Sequence, residues 1–160
     1  MASAGQVINL EKALDNRVLT GVRVNSWEEA VRLAGKLLVE CGVVEERYVD
    51  AMVRVTRELG PYAVIAPGVA MPHARPEDGA REVGLSLVVL SEGVNFGSPN
   101  DPVYVIIGFA AKDKSSHLRV LQELAELLSG EGVVEKLRHI NSPEDFRALL
   151  REHVISPINS

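Results

Sequence analysis

The chain has 160 residues, 46% of them hydrophobic and 24% charged, and its 17 Lys and Arg against 22 Asp and Glu leave a net charge of −5. This fits one domain over residues 1–160 with a core of its own, and the acidic balance argues against a nucleic-acid binder or a protein of anionic membrane surfaces, both of which need a basic face. Aromatic residues make up 4%, so Val, Leu, Ile and Ala must build the core, and the single cysteine, Cys41, excludes an intramolecular disulfide or a cysteine-based zinc cluster. No apolar run reaches 18 residues and the start, MASAGQVINLEKAL, lacks the apolar stretch of a signal segment, so a cytoplasmic location is expected, with residues 1–7 loose.

Residues 27–41, WEEAVRLAGKLLVEC, place Trp27, Ala30, Val31, Ala34, Leu37, Leu38 and Cys41 at steps of three and four, the spacing of one helical face. Asn25–Ser26 supply a cap, Glu29 completes a capping box, and Gly42 ends the helix. A buried structural role is expected for Cys41. Residues 45–59 read as a second helix, closed by Gly60–Pro61. Residues 62–66, YAVIA, predict a short strand that Pro67–Gly68 punctuate. The runs 84–90, GLSLVVL, and 103–111, VYVIIGFAA, are almost without polar positions, as in strands covered on both faces. A loop, NFGSPNDP, precedes the second run. Residues 115–129 predict a helix with Leu118, Leu121, Leu124, Ala125 and Leu128 on one face, capped by Ser115 or Ser116. Shorter helices follow over 131–138 and 143–151, the last opening with a Ser142 cap and Pro143 at its first position. Alternating helices and strands imply an α/β sandwich with helices outside the sheet.

The stretch VAMPHARPEDG carries the leading candidate for chemistry. Pro72 fixes φ and ends the ladder, so His73 leaves a strand end with little backbone freedom. Functional groups in α/β sheets gather at such ends. A histidine in an exposed turn explains the same residues equally well. His117, at the start of the 115–129 helix, lies among free backbone N–H groups and the positive end of the helix dipole, which favours an anion and disfavours the imidazolium. Taken alone, a surface histidine is the better reading. His139 and His153 read as solvated. Arg57, near the end of the second helix, could present a guanidinium fork to a phosphate. Arg75 and Arg81 also flank the possible site in sequence, and Arg81 reads as a solvated side chain. The spacings of metal ligands are absent, as are GxSxG, the P-loop and GxGxxG, so no metal and no cofactor are expected.

These residues together resemble a known family, the EIIA component of the bacterial sugar phosphotransferase system in its mannitol/fructose class. The resemblance rests on GVAMPH ending at His73, the strand GLSLVVL, and VNFGSPNDPVYVIIGFAAKDKSSHLRVLQELAELL with its second histidine, and it runs from Trp27 to Leu150. Taken whole, ELGPYAVIAPGVAMPHARPEDG is most similar to the ascorbate type. The resemblance implies a mixed sheet of about five strands flanked by helices on both faces, a three-layer α/β/α sandwich. It implies that His73 carries a phosphoryl group taken from the phosphohistidine of HPr and passed to a cysteine of a separate EIIB linked to a membrane EIIC permease. It implies that His117 contacts that phosphoryl group and that Arg57 matches an active-site arginine of the mannitol type. An apolar ring around His73, including Val69 and Met71, would suit transient docking. The alternative is a regulatory module of the same fold, of the nitrogen-related or transcription-regulator kind, switched by phosphorylation of His73. A hydrolase using His73 and His117 finds no nucleophile–acid set to support it.

Overall fold

The computed structural model describes residues 9–113, 115 and 117–153. In chain order the elements are α1 (Leu10–Leu14), β1 (Val18–Val22), α2 (Trp27–Glu40), α3 (Arg47–Leu59), β2 (Val64–Ala66), β3 (Val69–Ala70), β4 (Gly84–Val94), β5 (Val103–Ala110), α4 (Leu118–Leu128), α5 (Val133–Leu137) and α6 (Pro143–His153). The expectation of loose residues 1–7 lies outside the described residues.

The five strands form one mixed sheet in the order β1-β4-β5-β3-β2. The β1/β4 and β3/β5 pairs are parallel, and the β4/β5 and β2/β3 pairs are antiparallel. Gly84 to Leu90 are buried at every position, so helices cover β4 on both faces. Alternation then divides the core. Leu85, Leu87, Val89, Val105 and Ile107 pack with Leu10, Leu14, Leu124, Leu127, Leu137 and Phe146 of α1, α4, α5 and α6. Val88, Leu90, Ile106 and Ala110 pack with Ala30, Val31, Ala34, Leu38 and Met52 of α2 and α3. The α/β sandwich read from the sequence is the fold found.

Capping accounts for several boundaries. The Ser26 hydroxyl accepts from Glu29 N at 3.2 Å, the cap expected at the start of α2, while Glu29 Oε1 accepts from the N–H of Asn25, one residue before the cap, at 2.8 Å rather than closing a capping box on Ser26. At α6, Ser142 Oγ accepts from Asp145 N at 3.1 Å, as the Ser142–Pro143 reading requires. Other boundaries differ: β4 runs on to Val94 and α4 spans Leu118–Leu128 rather than 115–129. Residues Gly60–Ala63 form a 3₁₀ turn, which shortens the strand expected at 62–66 to Val64–Ala66. The second helix begins at Arg47 rather than residue 45, and just before it the chain is tied to the 79–80 segment, where Val44 bridges Ala80 and Glu45 N donates to Gly79 O at 2.8 Å. Cys41 is exposed, in contrast to the buried role expected, because α2 ends at Glu40 and Gly42 at φ 75° turns the chain off the helical face.

The sequence reading passed over α1 and β1. Asn9 caps α1 by accepting from Lys12 N at 2.9 Å. Arg17, 9% exposed, joins this corner to the sheet: Nε donates to Leu85 O at 2.8 Å and Nη2 to Ala13 O. Glu123 of α4 accepts from Leu10 N at 2.8 Å. Beside β5, Ser86 Oγ donates to Ala34 O at 2.7 Å, and a Cβ at Gly108 would strike that hydroxyl and the Ala34 methyl.

Candidate active site

The site begins where β3 runs out. Val69 and Ala70 pair with Val105 and Ile106 of β5. Proline has no N–H to offer the ladder, but Pro72 O still accepts from Phe109 N at 3.1 Å, and His73 falls opposite Phe109. The imidazole is therefore presented at the end of the sheet, beside a strand buried on both faces.

The His73 ring folds back on its own chain. Nδ1 lies 3.0 Å from Met71 O. A carbonyl only accepts, so Nδ1 carries the proton, and the neutral ring keeps its lone pair on Nε2. The His73 ring also meets the Phe109 ring edge-on, centroids 6.3 Å apart. Phe109 in turn meets His117, at 5.6 Å and 63° between planes. Two histidines far apart in sequence thus share one aromatic neighbour.

His117 occupies the N-cap of α4, with φ −105° and ψ 0°, rather than the first helical turn expected of it. Its carbonyl accepts from Leu121 N at 3.0 Å. Its Nδ1 is buried and has no hydrogen-bond partner among the described residues. The first turn of α4 holds no acidic side chain to compete for the helix N-terminus. The expected serine caps resolve in two ways. Ser115 lies outside the helix, its N–H donating to Asp113 Oδ1 at 3.0 Å, and Ser116 lies outside the described residues. An open cleft of about 340 Å³ is lined by Ala74, Pro76, Phe109, Ala111, Asp113 and His117.

Arg57 is not brought to this cluster. Its Nη2 lies 3.6 Å from Glu28 Oε2, and its guanidinium lies 5.4 Å from the centroid of Trp27, which packs against Phe96. Phe96 follows the end of β4 at which Val94 pairs with Val103, whereas His73 stands at the end at which Gly84 pairs with Ala110. Along α3, Arg57 lies about 13 Å of helical rise from Tyr48, which touches the site. Arg75 and Arg81 are exposed. His139 is exposed, as expected, and bonds Glu135, whose carboxyl it holds below the usual range with help from Arg138. His153 is less solvated than expected, its side chain 21% exposed beside Gly130. Of the apolar ring expected around His73, Met71 is half-buried, but Val69 is fully enclosed between β2 and β5 and cannot meet a partner. Leu118, 56% exposed beside His117, is an apolar side chain that does face outward.

Two residues at the site had no role in the sequence reading. Phe109 read as one more apolar position of a strand. Tyr48 read as part of a helix, yet it is fully buried and its hydroxyl reaches the backbone of Ala74 and Phe109. A lone tyrosine on an apolar helix face in an aromatic-poor chain was the available signal, since a buried phenol needs a polar partner. Among the described residues no group of three or more His, Cys, Asp or Glu side chains could hold a metal ion. No helix among them is long and apolar enough to cross a membrane.

A mixed α/β sheet that presents an imidazole with its lone pair on Nε2, sharing a phenylalanine ring with a second imidazole at a helix N-terminus, has the elements of a phosphoryl-carrying domain. The chain belongs to the family described as phosphoenolpyruvate-dependent sugar phosphotransferase system, EIIA 2, which matches residues 14–153. It is 38% identical over 140 residues to the ascorbate-specific PTS system EIIA component of Salmonella choleraesuis strain SC-B67, covering 86% of this chain and 91% of that one. The solution structure of the mannitol-specific cryptic phosphotransferase enzyme IIA CmtB from Escherichia coli is similar with a TM-score of 0.78 and 34% identity, over 91% of this chain and 99% of that one. The IIA in the complex of enzyme IIAMTL and phosphorylated enzyme IIBMTL from Escherichia coli matches with a TM-score of 0.74 and 32% identity, over 86% and 95% of the two chains.

Proposed function

We propose that this protein is the phosphocarrier of a sugar phosphotransferase system, with His73 Nε2 as the atom that carries the group. The observation that supports this is the bond from His73 Nδ1 to Met71 O, which leaves Nε2 as the lone-pair nitrogen. Its partners in this reading are HPr as donor and an EIIB cysteine as acceptor, and its place is the cytoplasm.

In the first step Nε2 attacks the phosphorus of phospho-HPr in line. The Nε2–P bond forms as the N–P bond of the donor histidine breaks, and the electron pair returns to that imidazole. No general base is needed, because the attacking nitrogen has a lone pair. In the second step the EIIB thiolate attacks the same phosphorus, the S–P bond forms, and Nε2 recovers its lone pair. Nδ1 keeps its proton throughout. The Met71 carbonyl faces the positive charge that an Nε2-phosphorylated, Nδ1-protonated ring carries. Such transfers depend on positioning and on stabilising the charge of the moving group. His117 and the N-terminus of α4 lie where they could supply that stabilisation without a metal. Likeness to an ascorbate-specific component supports ascorbate or a related sugar as the cargo of the downstream permease.

The test is intact-mass measurement after incubation with phosphoenolpyruvate, enzyme I and HPr. The expected result is one acid-labile phosphoryl group on the wild type and none on His73→Ala. A phosphoryl group on His73→Ala would place the carrier nitrogen elsewhere. A folded wild type left unphosphorylated by active HPr would sink the carrier reading.

A further inference from the structure

His73 lies opposite Phe109 at the last register position of the parallel β3/β5 pairing. A regular parallel ladder would hold it with two rungs, one from Phe109 N to Pro72 O and one from Ala74 N to Phe109 O. The first is made, at 3.1 Å. In the second a side chain intervenes. Ala74 N donates to Tyr48 Oη at 3.0 Å, and Tyr48 Oη lies 2.9 Å from Phe109 O. A phenol has one proton and can accept at its lone pairs, so accepting from Ala74 N and donating to Phe109 O is a complete set of bonds. Ala74 O, at 3.2 Å from the same oxygen, is the more distant carbonyl. Tyr48 is fully buried and comes from α3, on the face of the sheet away from α4.

We propose that Tyr48 is the positioning residue of His73, its hydroxyl standing in as the final rung of the β3/β5 ladder. Its insertion holds residue 74 one hydroxyl group away from β5 while Pro72 stays bonded. The chain between them is thereby turned, and the imidazole is set with Nδ1 on Met71 O and Nε2 free. Phe109 is the common anchor, through its N–H to Pro72, its carbonyl to Tyr48 and its ring to both histidines. Burial pushes the Tyr48 hydroxyl up to about 12, more than the Ala74 N–H bond lowers it, so the phenol keeps the proton that it donates. The proposal rests on the reading of His73 as the phosphoryl acceptor only for its kinetic consequence, and its geometric consequence stands apart.

The variant is Tyr48→Phe in the full chain, with two readouts. The first is the ¹⁵N shifts of the His73 imidazole, which report the tautomer. The wild type should show the Nδ1-protonated form, and Tyr48→Phe a shift toward a mixture of tautomers. The second is transfer from phospho-HPr. The rate at saturation should fall on the order of ten- to a hundred-fold, as for a misplaced nucleophile, with KM for phospho-HPr little changed. Unchanged imidazole shifts and an unchanged saturating rate, with only a lower Tm, would make Tyr48 a core residue and overturn the proposal. If the wild type accepts no phosphoryl group, the carrier reading fails, and the imidazole shifts alone decide on Tyr48. If Tyr48→Phe does not fold, hydrogen exchange of the wild-type Ala74 amide decides instead. Protection comparable to the β5 amides supports the rung, and exchange at the rate of an exposed loop overturns it.

Discussion

At the residue scale, the two histidines are held by different means and should fail differently when removed. His73 is bonded through Nδ1, whereas His117 has a buried Nδ1 with no partner among the described residues. A buried polar atom without a partner costs free energy and marks a side chain kept for something other than its own bonding. His117→Ala should therefore still accept a phosphoryl group, more slowly, and pass it poorly to an EIIB cysteine. Single-turnover rates of the two half-reactions check this, and normal transfer by the variant would show that the second imidazole is dispensable. Arg57→Ala should leave both half-reactions unchanged, because the guanidinium is held by Glu28 and Trp27 at the other end of α3. Its exposed ion pair is worth no more than about 1 kcal/mol, readable as a small loss in chemical denaturation.

At the element scale, the local signals were read where they were strong. Ser26→Ala removes the hydroxyl that accepts from Glu29 N and should cost about 1 kcal/mol in urea denaturation without changing phosphorylation. The caps at Ser26 and Ser142 and the runs at 84–90 and 103–111 were legible because composition and spacing act over few residues there. The elements α1 and β1 were not, because each has five residues and Gly21, at φ 68°, interrupts the strand pattern. The pairing of His73 with His117 was legible only through resemblance. What joins them is Phe109, and nothing in an apolar strand says which of its residues will meet two imidazoles. The misplaced expectations share a cause. Val69 and Cys41 were read from their own elements, whereas the exposure of Val69 is decided by the strands on either side and that of Cys41 by one turn of the chain.

At the scale of the whole molecule, Tyr48 ties stability to pH. Its hydroxyl is pushed up to about 12, chiefly by burial, which the bond from Ala74 offsets in part and the charge of Asp78 reinforces, whereas an unfolded tyrosine titrates near 10. Between these values the unfolded chain has lost a proton that the folded chain keeps. Stability is then fully present below about pH 10 and falls as pH rises toward 12, by about 2–3 kcal/mol. Denaturation midpoints measured from pH 9 to 12 should fall more steeply for the wild type than for Tyr48→Phe, and parallel curves would assign the alkaline loss to other groups. The order β1-β4-β5-β3-β2 has a further consequence. An open sheet exposes unpaired backbone at two margins, the places where a foreign strand can add itself and begin a fibril. Here one margin is the three-residue β2, with Pro61 just before it in the 3₁₀ turn and Pro67 just after it, and the other is the five-residue β1 broken by Gly21. Neither is a long, flat template, so copies of this carrier could be crowded together without their sheets growing into one another.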